Sequence, residues 1–105
     1  MEKVFVKDIA RNPEKFAGNP VRIQGWIRTL RSSNAFGFIE LNDGSFFKNI
    51  QVVFEDKLEN FKELTKLTIA AAVTVEGVLE MTPDAKQPYE IKATQVIIEA
   101  ESNSD

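Results

Sequence analysis

The 105-residue sequence contains no cysteine and no histidine. Thiolate zinc sites, cysteine or histidine nucleophiles and imidazole acid–base catalysis are therefore excluded. No disulfide can brace the chain, so it must fold on its own core. At this length it forms one ordinary domain and buries roughly two-thirds of the surface its unfolded form exposes. The missing cysteine fits a reducing compartment. Long apolar runs are also lacking: no stretch approaches the roughly 20 residues of a membrane span. The opening Met1-Glu2-Lys3-Val4 has no apolar core of a signal peptide. A cytoplasmic domain without a membrane partner is the expectation. There is no Gly-x-Gly-x-x-Gly and no Walker pattern. Asp43, Asp56, Glu59 and Glu63 are turn and helix-surface acids with no converging base. Neither a catalytic residue nor a metal-ligand set is expected within these residues.

Positive charge is scarce overall, with a net charge of −3, which at first argues against a nucleic-acid partner. Its distribution argues the other way. Residues 1–31 carry seven lysines and arginines against three acids, whereas residues 32–105 carry six lysines against thirteen acids. All four arginines fall in the basic part. Local fields rather than the total steer an anionic ligand.

The pattern along the chain is mostly that of strands. From Phe5 to Phe16, Val6, Ile9, Ala10 and Phe16 mark a short helical lead-in. Lys7 or Asp8 is the expected opener, and Pro13 suits the first turn of a second helix, Pro13 to Phe16. Gly18-Asn19-Pro20 reads as a turn. Val21 to Arg28 alternates, with Val21, Ile23 and Ile27 on one face, and Gly25 inside it suggests a bulge or a close backbone approach. Phe36 to Leu41 is a second strand, Asn42-Asp43-Gly44-Ser45 a turn, and Asn49 to Phe54 a third strand. Leu58, Phe61 and Leu64 recur at helical spacing and predict a short amphipathic helix within Asp56–Leu67. Thr68 to Glu80 and Tyr89 to Glu99 complete five strands. One helix between the third and fourth of five strands is the order of an OB-fold Greek-key barrel, a fold that binds oligonucleotides on the face of strands 2 and 3. Other small β folds with one helix share the order. The expected domain is 1–100, with 101–105 a polar tail or linker.

The second strand carries most of the functional signal. Strand side chains alternate between faces. If Ile39 and Leu41 face the core, then Phe36, Phe38 and Glu40 project together outward, where aromatic rings can stack on unpaired bases. The inverted register would bury the two rings. On the next strand Gln51 and Val53 share a face; taken singly Gln51 reads as a solvated surface residue, but beside Phe38 it can pair with a base edge. Arg28 and Arg31 end the first strand and enter the turn before Asn34; they can hold phosphate or stack on a base, though taken alone ordinary surface charge is the favoured explanation. Glu90, between Tyr89 and Ile91, can accept hydrogen bonds from base amino or imino groups, or be merely a solvated strand residue.

Five stretches carry a resemblance. Gly25-Trp26-Ile27-Arg28-Thr29-Leu30-Arg31-Ser32-Ser33, Phe36-Gly37-Phe38-Ile39-Glu40-Leu41-Asn42-Asp43-Gly44-Ser45 and Ile50-Gln51-Val52-Val53 closely resemble the N-terminal domain of asparaginyl-tRNA synthetases. So do Val75-Glu76-Gly77 and Lys86-Gln87-Pro88-Tyr89-Glu90-Ile91. The resemblance runs from about Val4 to Glu99. Gly-Trp followed by arginines is shared with aspartyl- and lysyl-tRNA synthetases, whereas the Phe-Gly-Phe-Ile-Glu-Leu-Asn-Asp-Gly-Ser run looks like the asparaginyl branch. The resemblance implies a domain that binds the anticodon loop of tRNA-Asn and needs no cofactor of its own. The parent ligase would use ATP and magnesium in a class II catalytic domain absent from these residues, and would be a homodimer. Phe38 would stack on the central anticodon uridine, Gln51 would bond that base's edge, and Glu90 would help read a neighbouring base. Arg28 and Arg31 would grip the loop backbone or a splayed base. Phe36 enters through strand alternation alone. The competing expectations are the anticodon-binding domain of an aspartyl- or lysyl-tRNA synthetase, a generic single-strand-binding OB module, and a domain binding no nucleic acid.

Overall fold

The structure is a computed structural model that describes residues 3–101. Two short helices, α1 (Val6–Arg11) and α2 (Pro13–Phe16), lead into β1 (Pro20–Ser32). β2 (Phe36–Asn42), β3 (Ile50–Glu55), the single-turn helix α3 (Phe61–Leu64), β4 (Ala72–Met81) and β5 (Tyr89–Ala100) follow. The strands close a barrel in the order β1-β2-β3-β5-β4, with β4 returning to β1. Every pairing is antiparallel except the short β3–β5 closure, where Val52 lies opposite Ile91 and Val53 opposite Lys92. This is the five-stranded OB-fold arrangement that the element order predicts. The expected tail 101–105 lies outside the described residues apart from Glu101.

The core is built by period-two alternation. Val21, Ile23 and Ile27 of β1, Ile39 and Leu41 of β2, and Ile50, Val52 and Phe54 of β3 are all fully or almost fully buried. Ile91 of β5 and Val73, Val75 and Leu79 of β4 meet them inside the barrel. Val6 and Ile9 of α1 join the same cluster, so the lead-in plugs the barrel rather than trailing from it.

Four elements differ in their bounds from the sequence expectation, each for a physical reason. β1 does not end at Arg28. Ile27 pairs with Leu41 and Thr29 with Glu40, leaving Arg28 as the extra residue of a bulge, after which the ladder continues to Ser32. The bulge restores alternation, because Leu30 then lies opposite buried Ile39. Gly25 is a site of close backbone approach rather than the bulge itself: a Cβ there would run into the backbone carbonyl of Asn42.

The expected helix over Asp56–Leu67 shrinks to α3. Leu58 and Phe61 still pack on the core and Leu64 is buried, so the apolar spacing is kept. The flanking bonds, Leu58 N–H to Glu55 C=O, Lys66 to Glu63 and Leu67 to Leu64, are three-residue turns. Asn60 gives its side-chain N–H to the Val96 carbonyl at 2.9 Å, and its oxygen makes no cap. β4 starts at Ala72 instead of Thr68, because a turn with Ala70 at φ 76° intervenes.

α1 opens at Val6, before Lys7 and Asp8. Its first free N–H groups are satisfied from 37 and 38 residues away: Val6 N–H donates to Asp43 Oδ2 at 2.9 Å and Lys7 N–H to Ser45 Oγ at 3.1 Å. Asp43 Oδ1 also accepts from the Ser45 hydroxyl at 2.6 Å. The Asp43-Gly44-Ser45 turn is thus the cap of the lead-in helix, which is why an acid sits there without chemical work to do.

Candidate nucleic-acid interface

The register decides which side chains share the open face of β2. Gly37, Ile39 and Leu41 are buried, while Phe36, Phe38 and Glu40 point away from the core. The inverted alternative, with both rings inside, is excluded. Phe36 keeps 43 % of its surface exposed, a large apolar area for a strand face. Gly37 faces inward between the two rings because Phe54 fills the space a side chain would take.

Cross-strand pairing arranges this face in rows. One row is Thr29, Glu40 and Gln51; the next is Arg31, Phe38 and Val53; Phe36 and Glu55 end the face. The parallel closure continues the second row to Lys92 and sets Glu90 beside Gln51. Gln51 Nε2 donates to Glu90 Oε1 at 3.1 Å. The guanidinium carbon of Arg31 lies over the Phe38 ring, 5.5 Å from its centroid. Arg31, Phe38, Gln51 and Glu90 are therefore brought together, with Phe36 next along the strand. Arg28 is exposed at the bulge, and no hydrogen bond or ion pair joins it to them among the described residues. Both arginines lie within β1, which runs on to Ser32 instead of giving way to a turn after Arg28.

Two concavities adjoin this face. One, of about 760 Å³, runs past Phe38 and Phe36 over Val53, Val78, Ala93 and Leu58. The other, of about 470 Å³, lies between the loops after β2 and after β4, with Glu40, Phe47, Lys48, Gln51 and Lys86 around it. Glu90 borders both. Lys92 is ion-paired with Glu80 at 3.2 Å, and this pairing raises its pKa above the ordinary lysine value.

Several contributors were not singled out from the sequence. Phe47 is 81 % exposed at the rim of the smaller concavity. Gln87 ties the β4–β5 loop to β3: its Oε1 accepts from Gln51 N–H at 3.1 Å and its Nε2 donates to the Asn49 carbonyl at 2.8 Å. A chain of oriented amides runs from Asn42 Nδ2 to Asn49 Oδ1 at 3.0 Å, then from Asn49 Nδ2 to Glu40 Oε2 at 3.2 Å. The Phe46-Phe47-Lys48 run in a loop was the one available signal, since adjacent aromatics outside a strand lack a core position.

An open strand face with two aromatic rings, an amide, carboxylates and arginines has the parts for reading unstacked bases. Residues 21–99 match the tRNA anticodon family, described as an OB-fold nucleic acid binding domain. The chain belongs to that family. As an OB-fold nucleic acid binding domain it has close relatives. It is 67 % identical over 105 residues to an asparagine–tRNA ligase of Alkaliphilus oremlandii, and 60 % identical over 105 residues to that of Alkaliphilus metalliredigens. In each case all of this chain matches, but only 23 % of the relative. The chain therefore spans less than a quarter of the length of the curated relatives it matches. Among solved structures, an asparaginyl-tRNA synthetase from Pyrococcus horikoshii complexed with asparaginyl-adenylate superposes with a TM-score of 0.84 at 23 % identity. All of this chain and 24 % of that one are covered, which supports the OB fold. Among the described residues no group of acids could hold a metal, and no helix is long and apolar enough to cross a membrane.

Proposed function

We propose that residues 1–100 form the anticodon-binding domain of an asparagine–tRNA ligase and bind the anticodon loop of tRNA-Asn. The observation that carries this reading is the placement of Phe38, Gln51, Glu90 and Arg31 as neighbours on one open sheet face. Relatives named asparagine–tRNA ligase, matched over the full chain, support the choice of tRNA. In this reading Phe38 stacks on the central anticodon base and Gln51 bonds its edge. Phe36 offers a second ring to a neighbouring base, and Glu90 helps read a neighbouring base. Arg31 covers part of the Phe38 ring and Arg28 projects from the bulge; both meet phosphate or a splayed base. Residues 101–105 lead toward a catalytic domain. The parent enzyme attaches asparagine to tRNA using ATP and magnesium, as a cytoplasmic homodimer.

Titration of a labelled asparagine-tRNA anticodon stem-loop at low salt, beside one with its central uridine changed, tests the proposal. Weaker binding to the changed loop is expected. Equal binding to both would leave only a generic single-strand module, and binding to neither would remove the function from this domain acting alone.

A further inference from the structure

The basic excess of residues 1–31 is only partly spent beside the open sheet face. Apart from Arg28 and Arg31, it consists of Lys3, Lys7, Arg11, Lys15 and Arg22. Arg22 is held by Glu76 at 4.0 Å. Among the described residues no ion pair engages Lys3, Lys7, Arg11 or Lys15. Two of these cations gather at one ring. Lys3 Nζ lies 5.2 Å and Lys7 Nζ 5.8 Å from the centroid of Phe5, a ring left 41 % exposed. The nearby carboxylates are turned to the backbone: Asp8 accepts from Phe5 N–H at 3.4 Å, and Asp43 from Val6 N–H at 2.9 Å.

The fold joins this pair of lysines to the sheet face. The bonds from Val6 N–H to Asp43 and from Lys7 N–H to Ser45 lay the start of α1 along the β2–β3 loop. That loop continues as Phe46-Phe47-Lys48. Phe46 packs on the core, while Phe47 is exposed and carries Lys48 Nζ 5.6 Å from its centroid. Phe47 and Lys48 border the same concavity as Gln51 and Glu90. Positive charge thus runs from that concavity, over the loop, to the lead-in, with each ammonium seated on an exposed ring. A carboxylate partner would cancel an ammonium. A ring fixes its position and leaves its charge available to an anion.

We propose that Lys3, Lys7 and Lys48 form a phosphate-binding tract that holds the backbone of the RNA duplex adjoining the anticodon loop, a contact separate from base reading. This rests on the reading of the sheet face as a tRNA-binding surface. The strands that leave a loop pair as a duplex, which offers a protein mainly phosphates and 2′-hydroxyls. A line of cations without carboxylates matches that backbone in charge. Contacts of this kind position the RNA and carry no sequence information.

The test compares the full chain with its Lys3→Gln/Lys7→Gln variant on an asparagine-tRNA anticodon stem-loop. Lys62→Gln/Lys66→Gln makes the same charge change beyond the opposite end of β3 and serves as control, with folding of all three checked by circular dichroism. The lead-in pair should weaken binding about two- to thirtyfold, the sum expected for two exposed ion pairs. It should also lower the log–log salt slope by about one to two. Lys48→Gln should act in the same direction with about half the effect on the slope. Preference for a central uridine should stay unchanged, and the control should bind as the wild type does. A stem-loop whose stem phosphates are replaced by neutral methylphosphonates should bind the wild type and the lead-in pair alike. An unchanged slope in the lead-in pair would overturn the tract, and so would an equal effect in the control. A lead-in pair still weaker on the neutral stem would overturn its assignment to the duplex. A lower slope without any preference for the central uridine would overturn the base reading and leave the tract standing. No binding of the stem-loop by the wild type would overturn both.

Discussion

Gly37 sits between the two proposed stacking rings, and replacing it with alanine tests whether the platform is set by the core beneath it. A Cβ built at Gly37 would lie within 2.5 Å of the Phe54 ring carbons Cε1 and Cε2. Carbon atoms pack comfortably at roughly 3.5–4.0 Å, so the ring must move by about an ångström or more. It has little room: Phe54 is fully buried, with its ring edge-on to Phe61 at a centroid distance of 5.5 Å. Overpacking of this kind costs about 1–3 kcal/mol. Replacing glycine in a strand returns about 0.5–1 kcal/mol through the unfolded chain. The net destabilisation expected for Gly37→Ala is therefore about 1–2 kcal/mol, or a drop in Tm of about 5–15 °C for a domain of this size. Thermal unfolding followed by circular dichroism measures it. Phe54→Leu should make room, so the double variant should be more stable than the sum of the two single changes by about 1 kcal/mol. A Gly37→Ala protein as stable as the wild type would refute the reasoning. So would a double variant whose losses simply add.

Three further outcomes follow from individual residues. Ala70 holds φ 76°, an arrangement its β-carbon disfavours, so Ala70→Gly should raise stability by about 0.5–1 kcal/mol after the glycine entropy cost, measured by urea midpoint. A lower midpoint would refute it. Tyr89, the only tyrosine, has its pKa raised by burial. Its protonated form is favoured in the folded state, so its contribution is fully present below the ordinary tyrosine pKa and is lost as pH rises through the raised folded value. Tyrosinate absorbance should therefore titrate above the ordinary range, with stability falling over that interval; an unshifted midpoint would contradict it. Arg28→Ala should lower both affinity for the stem-loop and the salt dependence of binding, by about one in the log–log slope, whereas an unchanged slope would count against phosphate contact.

Much of the site was legible because strand alternation is strict. Burying Ile39 and Leu41 forces Phe36, Phe38 and Glu40 outward, and burying Ile50, Val52 and Phe54 does the same for Gln51 and Val53. What stayed hidden depends on contacts distant in sequence. The Arg28 bulge is set by pairing with β2, not by any residue in β1 that breaks strand pattern. The helix expected over Asp56–Leu67 kept its apolar spacing, but helical bonds remain only from Leu64 to Asn60 and from Thr65 to Phe61, while the Asn60 side chain binds the distant Val96 carbonyl instead of capping the turn. The Asp43-Gly44-Ser45 turn was recognisable as a turn, but its capping of α1 is not. The Gln51–Glu90 bond spans 39 residues and exists only because β3 and β5 close the barrel in parallel.

The central claim is that Phe38 is a stacking platform for an unpaired base on this face. Its most direct test is the affinity of wild-type and Phe38→Ala proteins for the same asparagine-tRNA anticodon stem-loop, under identical salt, with folding of both checked by circular dichroism. Loss of the ring should cost about 1–3 kcal/mol, the range for one base stacked on an aromatic side chain. A loss below about 0.3 kcal/mol, far under that range, would contradict the account.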